Sequence, residues 1–249
     1  MATFKSKMKY LDPDWADRIW EGASAVSNGK GAAWRLAIAA LALTGARPAS
    51  LERGIAFTWI RDSQGVLYLT AKIPGAKLLK NHDGTARRGQ EFVQMAWRVS
   101  RPTEAPPRER EFLALVDALS TEDPTGKTGS TITVSYNKDA IATAVRDLSK
   151  QLWPRRTRHV SPICYREMFS ATAKASGMAP DALAAAMGHI SAESQGKYHA
   201  YRGKAKGKVS PKSLFSQVKV PTKIKMERAP MARFKAAAAN AKRAKMAKP

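Results

Sequence analysis

The 249 residues suffice for one large domain or two small ones, and an apolar share of 44% supplies material for a packed core. Lysine and arginine number 43 against 20 acidic residues, a formal net charge of +23. Such an excess calls for a polyanionic partner, because neutralising phosphates releases condensed counterions. An anionic membrane surface is the weaker match: no apolar run in the sequence is long enough to span a bilayer, and no secretory pattern is expected at its start. The single cysteine, Cys164, excludes an intrachain disulfide and a cysteine-rich zinc site, and is expected to pack in a core in a reducing cytoplasm.

Asp12-Pro13-Asp14 opens a helix that carries Trp15, Ile19 and Trp20 and stops before Ser27-Asn28-Gly29. From Gly31 the run GAAWRLAIAALALTG is almost wholly apolar, which predicts a helix buried on most sides with Gly45 as its stop. Strand signals follow at Phe57–Ile60, at Val66–Thr70 after the turn Asp62-Ser63-Gln64-Gly65, and at Glu91–Met95. Together they predict a small three-stranded antiparallel sheet, with a basic loop from Lys77 to Gly89 between its second and third strands. The stretch from Ser100 to Arg108 holds three prolines and reads as a connector.

Helical periodicity then takes over. Phe112, Leu115, Val116 and Leu119 form one apolar stripe, and Ile141, Val145, Leu148 and Leu152 form another. Residues 121–133, rich in Thr, Gly and Asp, read as a loop between them. Further helices are expected at about 162–176 and 180–187, stopped by Gly177 and Gly188, with a short one from Ser191. From Arg202 onward the chain carries fifteen Lys/Arg and one acid, Glu227. That tail is too poor in apolar surface to build a core, so it is expected to be mobile when unbound, with Phe234–Lys248 able to turn helical on a phosphate surface.

Three segments combine chemistry-bearing residues: Thr44-Gly45-Ala46-Arg47 at the end of an apolar helix, Arg166 one turn into another, and Gly188-His189 followed nine residues later by Tyr198. Each has an ordinary explanation. The first is also a helix C-cap with a favourable terminal cation, the last a capped helix end, and Tyr198 or its neighbour Tyr201 a core tyrosine. Arg166 fits that explanation least, since an arginine on a buried face needs an anionic partner.

As an ordered set, with Arg166 to His189 spanning 23 residues and His189 to Tyr198 spanning 9, these segments resemble the tyrosine recombinase/integrase family. The resemblance runs from about residue 10 to 202. It implies an α+β, mainly α fold: a short N-terminal helical arm (1–30), a tyrosine-recombinase catalytic domain (31–202) and a basic DNA-binding tail (203–249). It also implies breakage and rejoining of duplex DNA through a 3′-phosphotyrosyl link, by a homotetramer on DNA, with no metal and no small-molecule cofactor. Tyr198 would attack phosphorus, and Arg47 and Arg166 would grip the non-bridging oxygens with their fixed forks of donors. His189 would donate to or position the phosphate. Lys77 would protonate the 5′ leaving oxygen, with Lys72 and Lys80 as alternatives. Lys72, Lys80, Arg87, Arg88, Lys197, Arg202, Lys204, Lys206 and Lys208 are expected to contact DNA.

The pattern departs from the family at three places. Ile163 stands three residues before Arg166, where the family has histidine, and isoleucine cannot take a proton; His159 is the upstream substitute. Ser50 stands three residues after the first arginine, where the family has an acid, with Glu52 nearby, and Glu167 follows the second arginine where histidine also occurs. Only about 30 residues precede the first catalytic-domain helix, too few for the separate clamp domain of the family. These departures keep open a catalytically silent DNA-binding protein on the same fold, and a topoisomerase-like nicking and closing enzyme shares the tyrosine chemistry.

Overall fold

Trp15, Ile19 and Trp20 recur at the spacing of one helix face, and α1 (Trp15–Ser24) buries all three. The computed structural model of the chain describes residues 11–12, 14–25, 30–98, 110, 131–193 and 217–224. In chain order the further elements are α2 (Lys30–Thr44), α3 (Pro48–Glu52), β1 (Ile55–Arg61), β2 (Leu67–Pro74), β3 (Leu79–Lys80), β4 (Ala86–Arg88), β5 (Phe92–Arg98) and β6 (Thr131–Val134). They are followed by α4 (Lys138–Leu152), α5 (Ile163–Ala175), α6 (Pro180–Ala186) and β7 (Gln217–Lys219). The result is a mixed fold of helices and antiparallel sheet.

The helices pack around α2. Only its second half is enclosed: Ala37 to Leu41 are buried, whereas Ala32 and Ala33 are exposed, so the expected burial on most sides holds for the C-terminal turns alone. In the first turns Arg35 lies over the Trp20 ring at 4.9 Å. Trp15 reaches across to Tyr165 of α5, ring centroids 5.0 Å apart, and so ties the N-terminal helix into the core beneath the site. In α4 the predicted stripe is buried at Ile141, Val145 and Leu148 and half-buried at Leu152; Asn137 caps the helix by accepting from the Asp139 and Ala140 N–H groups at 3.0 and 2.9 Å.

Burial alternates along each long strand: Ile55, Phe57 and Trp59 in β1, Leu69, Ala71 and Ile73 in β2, and Val93, Met95 and Trp97 in β5. The Asp62 turn joins β1 to β2, its Oδ1 accepting from the Gln64 and Val66 N–H groups at 2.9 and 2.8 Å.

The sheet has five strands, in the order β6-β1-β2-β5-β7, where three were expected. One added strand, β6, falls at the end of the predicted 121–133 loop: β-branched Thr131–Val134 pairs with Ile55–Thr58 of β1. The other, β7, lies inside the predicted mobile tail, where Val218 and Val220 pack on the core and Gln217–Lys219 pairs with β5. Both are edge strands too short to announce themselves by periodicity, and it is the neighbouring strand that recruits them. The basic loop between β2 and β5 also carries structure, a two-stranded ribbon of β3 and β4 closed by Asn81–Thr85. The stripe from Phe112 to Leu119 lies outside the described residues, as does most of the tail.

Candidate active site

Four segments converge on one cavity of about 290 Å³: the turn after α2, the base of the β2–β5 excursion, the first turns of α5, and the end of α6. Arg47, Lys77, Arg88, Arg166, Glu167 and His189 line it, four cations against one carboxylate.

The turn after α2 begins with buried Thr44, whose hydroxyl donates to the Ala40 carbonyl at 2.6 Å and accepts from the Ala46 N–H at 3.1 Å. Gly45 then reverses the chain at φ +59°, a conformation that disfavours any side chain. A Cβ there would meet the Phe169 ring at 2.6 Å, so this turn closes directly against α5. The closure leaves Arg47 half-buried at the cavity wall, as the extended N-cap of α3.

Arg166 is 2% exposed. Its Nη1 donates to the Gly45 carbonyl at 2.6 Å, its Nη2 donates to the Met187 carbonyl, and Nη2 also lies 3.2 Å from His189 Nε2. The anionic partner expected for a buried arginine is therefore supplied, at least in part, by the carbonyls ending α2 and α6. These are the partially negative ends of the two helices. A guanidinium only donates, so in the 3.2 Å contact Nε2 is the acceptor. His189 is fixed by its backbone: its N–H donates to the Ala184 carbonyl and the Gly188 N–H to the Ala185 carbonyl, both at 2.8 Å. These are the two crossing bonds of a Schellman cap.

Lys77 owes its position to the base of the excursion. The Gly75 N–H donates to the Glu91 carbonyl at 2.8 Å, and the Arg53 guanidinium donates to the Gly75 carbonyl. A Cβ on Gly89 (φ +76°) would collide with the Lys77 carbonyl, so the two backbones meet as only glycine permits. Of the three candidate lysines, Lys77 alone lines the cavity. Lys72 lies over the Phe92 ring at 5.1 Å, and Lys80 is exposed on β3. Arg88 is brought in as well, while Arg87 is placed in β4 by its backbone.

Gln90 is a positioning residue that sequence reasoning missed. It is 1% exposed; its N–H donates to the Gly188 carbonyl at 3.1 Å and its Nε2 to the carbonyls of His189 and Thr222 at 3.1 and 2.7 Å. Its Oε1 accepts from the Thr222 N–H at 3.0 Å. One amide thus joins the Lys77 excursion, the His189 turn and the segment after β7. No local signal marks it, since all its partners are distant in sequence.

Ile163 lines the cavity as an apolar wall, and His159 is not among the lining residues. His159 is half-buried with its Nδ1 enclosed; burial lowers its pKa, and Lys150, Arg156 and Arg146 lower it further. Buried Ser50 does face the cavity, whereas Glu52 turns away to Lys138 at 2.9 Å and anchors the start of α4. That bond holds the Glu52 carboxyl below its ordinary pKa. Lys197, Tyr198, Arg202, Lys204, Lys206 and Lys208 lie outside the described residues.

Among the described residues no three His, Cys, Asp or Glu side chains come together to hold a metal ion, and no helix is long and apolar enough to cross a membrane. No protein-family model and no curated protein matches the sequence. Among solved structures the chain is similar to a XerA recombinase, at 19% identity and a TM-score of 0.42. The match covers 76% of this chain and 59% of that one, less than two thirds of the recombinase.

Proposed function

We propose that the chain is a DNA strand transferase of the tyrosine-recombinase kind, which breaks a phosphodiester of duplex DNA, holds the 3′ phosphate on Tyr198, and rejoins it. The observation that carries this reading is the convergence of Arg47, Arg166, His189 and Lys77 on one cavity, from segments as far apart in sequence as residues 47 and 189. Arg47 and Arg166 bind the non-bridging oxygens, where negative charge builds up in the transition state. His189 orients the phosphate, and Lys77 gives a proton to the departing 5′ oxygen. The surrounding cations, Lys72 on β2, Lys80, Arg87 and Arg88 on the excursion, and Lys197 to Lys208 beyond α6, track the duplex backbone. Recombination on two duplexes takes four such protomers.

The test is a nicked suicide duplex, on which religation is blocked. The wild type is expected to accumulate a covalent protein–DNA adduct and Tyr198→Phe none; an adduct from that variant sinks the assignment of Tyr198.

The apolar wall at Ile163 favours a second reading, a DNA-binding protein on this fold that does not cut. In that case Tyr198→Phe leaves function untouched, while neutralising lysines of the 203–249 tail weakens binding and flattens its salt dependence.

A further inference from the structure

We infer that the loop between α4 and α5 is a docking surface for the phosphate backbone of duplex DNA, with Arg155 and Arg158 as its contacts. The inference rests on the duplex-binding part of the strand-transferase reading. Between Asp147 and Glu167 the chain carries no acid, yet it carries Lys150, Arg155, Arg156, Arg158 and Arg166. Asp147, at the edge of this stretch, is taken by Arg146 at 3.4 Å and Lys150 at 3.5 Å. Arg155 and Arg158 are exposed and make no ion pair among the described residues.

The loop is held from beneath. The Trp153 N–H donates to the Ser149 carbonyl at 3.0 Å, the Arg156 N–H to the Trp153 carbonyl at 3.1 Å, and the Val160 N–H to the Ser149 hydroxyl at 3.0 Å. Ser149 and Val160 are fully buried, and the Arg18 guanidinium lies over the Trp153 ring at 4.9 Å. The shape of the loop is thus set in advance, and less ordering entropy is lost when its cations meet phosphates. Half-buried His159 registers the local field: burial lowers its pKa, and Lys150, Arg156 and Arg146 lower it further, with Asp147 opposing. The loop also stands close to the cavity, since Ile163, Arg166 and Glu167 of the following helix line it. From Arg158 to Ile163 the chain reaches at most about 18 Å. At about 1.7 Å of axis per charge, that length of duplex holds roughly ten phosphates. Lys77 and Arg88 flank the cavity from the β2–β5 excursion, and this loop joins it through α5, so a duplex centred there meets cations from two separate elements.

The experiment measures binding of a random-sequence duplex against salt concentration, for the full chain and for Arg155→Gln/Arg158→Gln. Each phosphate contact contributes about 0.9 to the slope of log K on log salt, so the double variant is expected to lose about 1.8. With counterion release as the whole of each contact, affinity near about 0.15 M salt falls about fivefold per arginine, roughly 30-fold for the two. Arg61→Gln controls for net charge. Arg61 is exposed and pairs with Leu67 at the start of β2, whereas Ile73 near its end lines the cavity. That separation, about 20 Å at roughly 3.3 Å per residue, exceeds the Debye length of about 8 Å, so this variant is expected to keep slope and affinity. The ring of His159 gives a second readout: duplex binding to the wild type is expected to raise its pKa, because a nearby anion favours the imidazolium. A wild-type slope in the double variant, an equal loss per charge from Arg61→Gln, or a His159 titration unmoved by the duplex overturns the inference. Failure of the strand-transferase reading looks different. No covalent adduct on the suicide duplex, with the slope loss intact, removes strand transfer and leaves this surface standing, whereas a wild type that binds no duplex removes both.

Discussion

Replacing Arg166 by methionine keeps an unbranched stem and removes the guanidinium, which isolates what its hydrogen bonds contribute. Among the described residues three are lost: to the Gly45 carbonyl at 2.6 Å, to the Met187 carbonyl, and to His189 Nε2 at 3.2 Å. Bonds to a charged donor are worth about 1.5–3 kcal/mol each, and an abandoned buried acceptor costs about 1–3 kcal/mol. Two effects reduce the sum. The guanidinium no longer has to be desolvated, and the open side of the cavity lets water reach the freed carbonyls. A net loss of about 2–4 kcal/mol remains, which for a chain of this size lowers Tm by roughly 5–15 °C. Arg166→Lys is expected to fall between, because a single ammonium cannot span two carbonyls on different helices. Thermal melting and urea unfolding read the stability directly. Nitrogen shifts of the His189 ring report whether Nε2 has lost its donor. A methionine variant that melts within about 1 °C of the wild type would refute the claim that α2 and α6 are joined through this side chain.

Gly45→Ala forces φ +59° on a residue with a Cβ and drives that atom to 2.6 Å from the Phe169 ring. Strain of about 1–2 kcal/mol and overpacking of about 1–3 kcal/mol add to a loss of about 2–5 kcal/mol in urea unfolding. Made in a Phe169→Ala background, which removes the ring atoms at 2.6 Å, the substitution should cost little beyond the backbone share; an equal cost in both backgrounds rules out the clash. Gln90→Glu replaces a donor that faces two carbonyls, those of His189 and Thr222, with a carboxylate oxygen. A protonated carboxyl restores one donor, so the folded-state pKa of the introduced carboxyl is raised above its unfolded value. The variant's stability relative to wild type is then present at low pH and is lost as pH rises through that folded-state pKa. Unfolding at pH 5 and pH 8 checks the sign, and a deficit independent of pH contradicts the network drawn around Gln90.

Regular elements were legible where periodicity ran long enough. The stripe Ile141, Val145, Leu148 gave α4, and Gly177 and Gly188 marked the ends of α5 and α6. Thr131–Val134 and Gln217–Lys219 were not legible, because a strand of three or four residues is decided by the edge it joins, here Ile55–Thr58 and Gln94–Ala96. For the site, spacing singled out Arg47, Arg166 and His189, and the structure brings all three to one cavity. What spacing could not supply was the means of holding them. The Gly45 carbonyl, the Schellman cap before His189 and the Gln90 amide act largely through backbone groups, which every residue carries and no motif records. The choice among Lys72, Lys77 and Lys80 was equally hidden, because it depends on where the close contact of Gly89 with the Lys77 carbonyl folds the excursion back.

The depths at which the cations sit divide their labour. Arg166 is 2% exposed and held in place by the carbonyls that end α2 and α6. Arg47 is half-buried and Lys77 exposed, so water balances their charge, and under the strand-transferase reading a phosphate displaces that water. Preorganised charge lowers a barrier, because its reorganisation is complete before the reaction begins. Hydrated surface charge acts instead on encounter and on salt dependence. Under the strand-transferase reading, Arg166 therefore governs the chemical step, and the many exposed lysines govern how strongly and how fast the duplex is met. The net charge of +23 then reports on the second property and says little about the first.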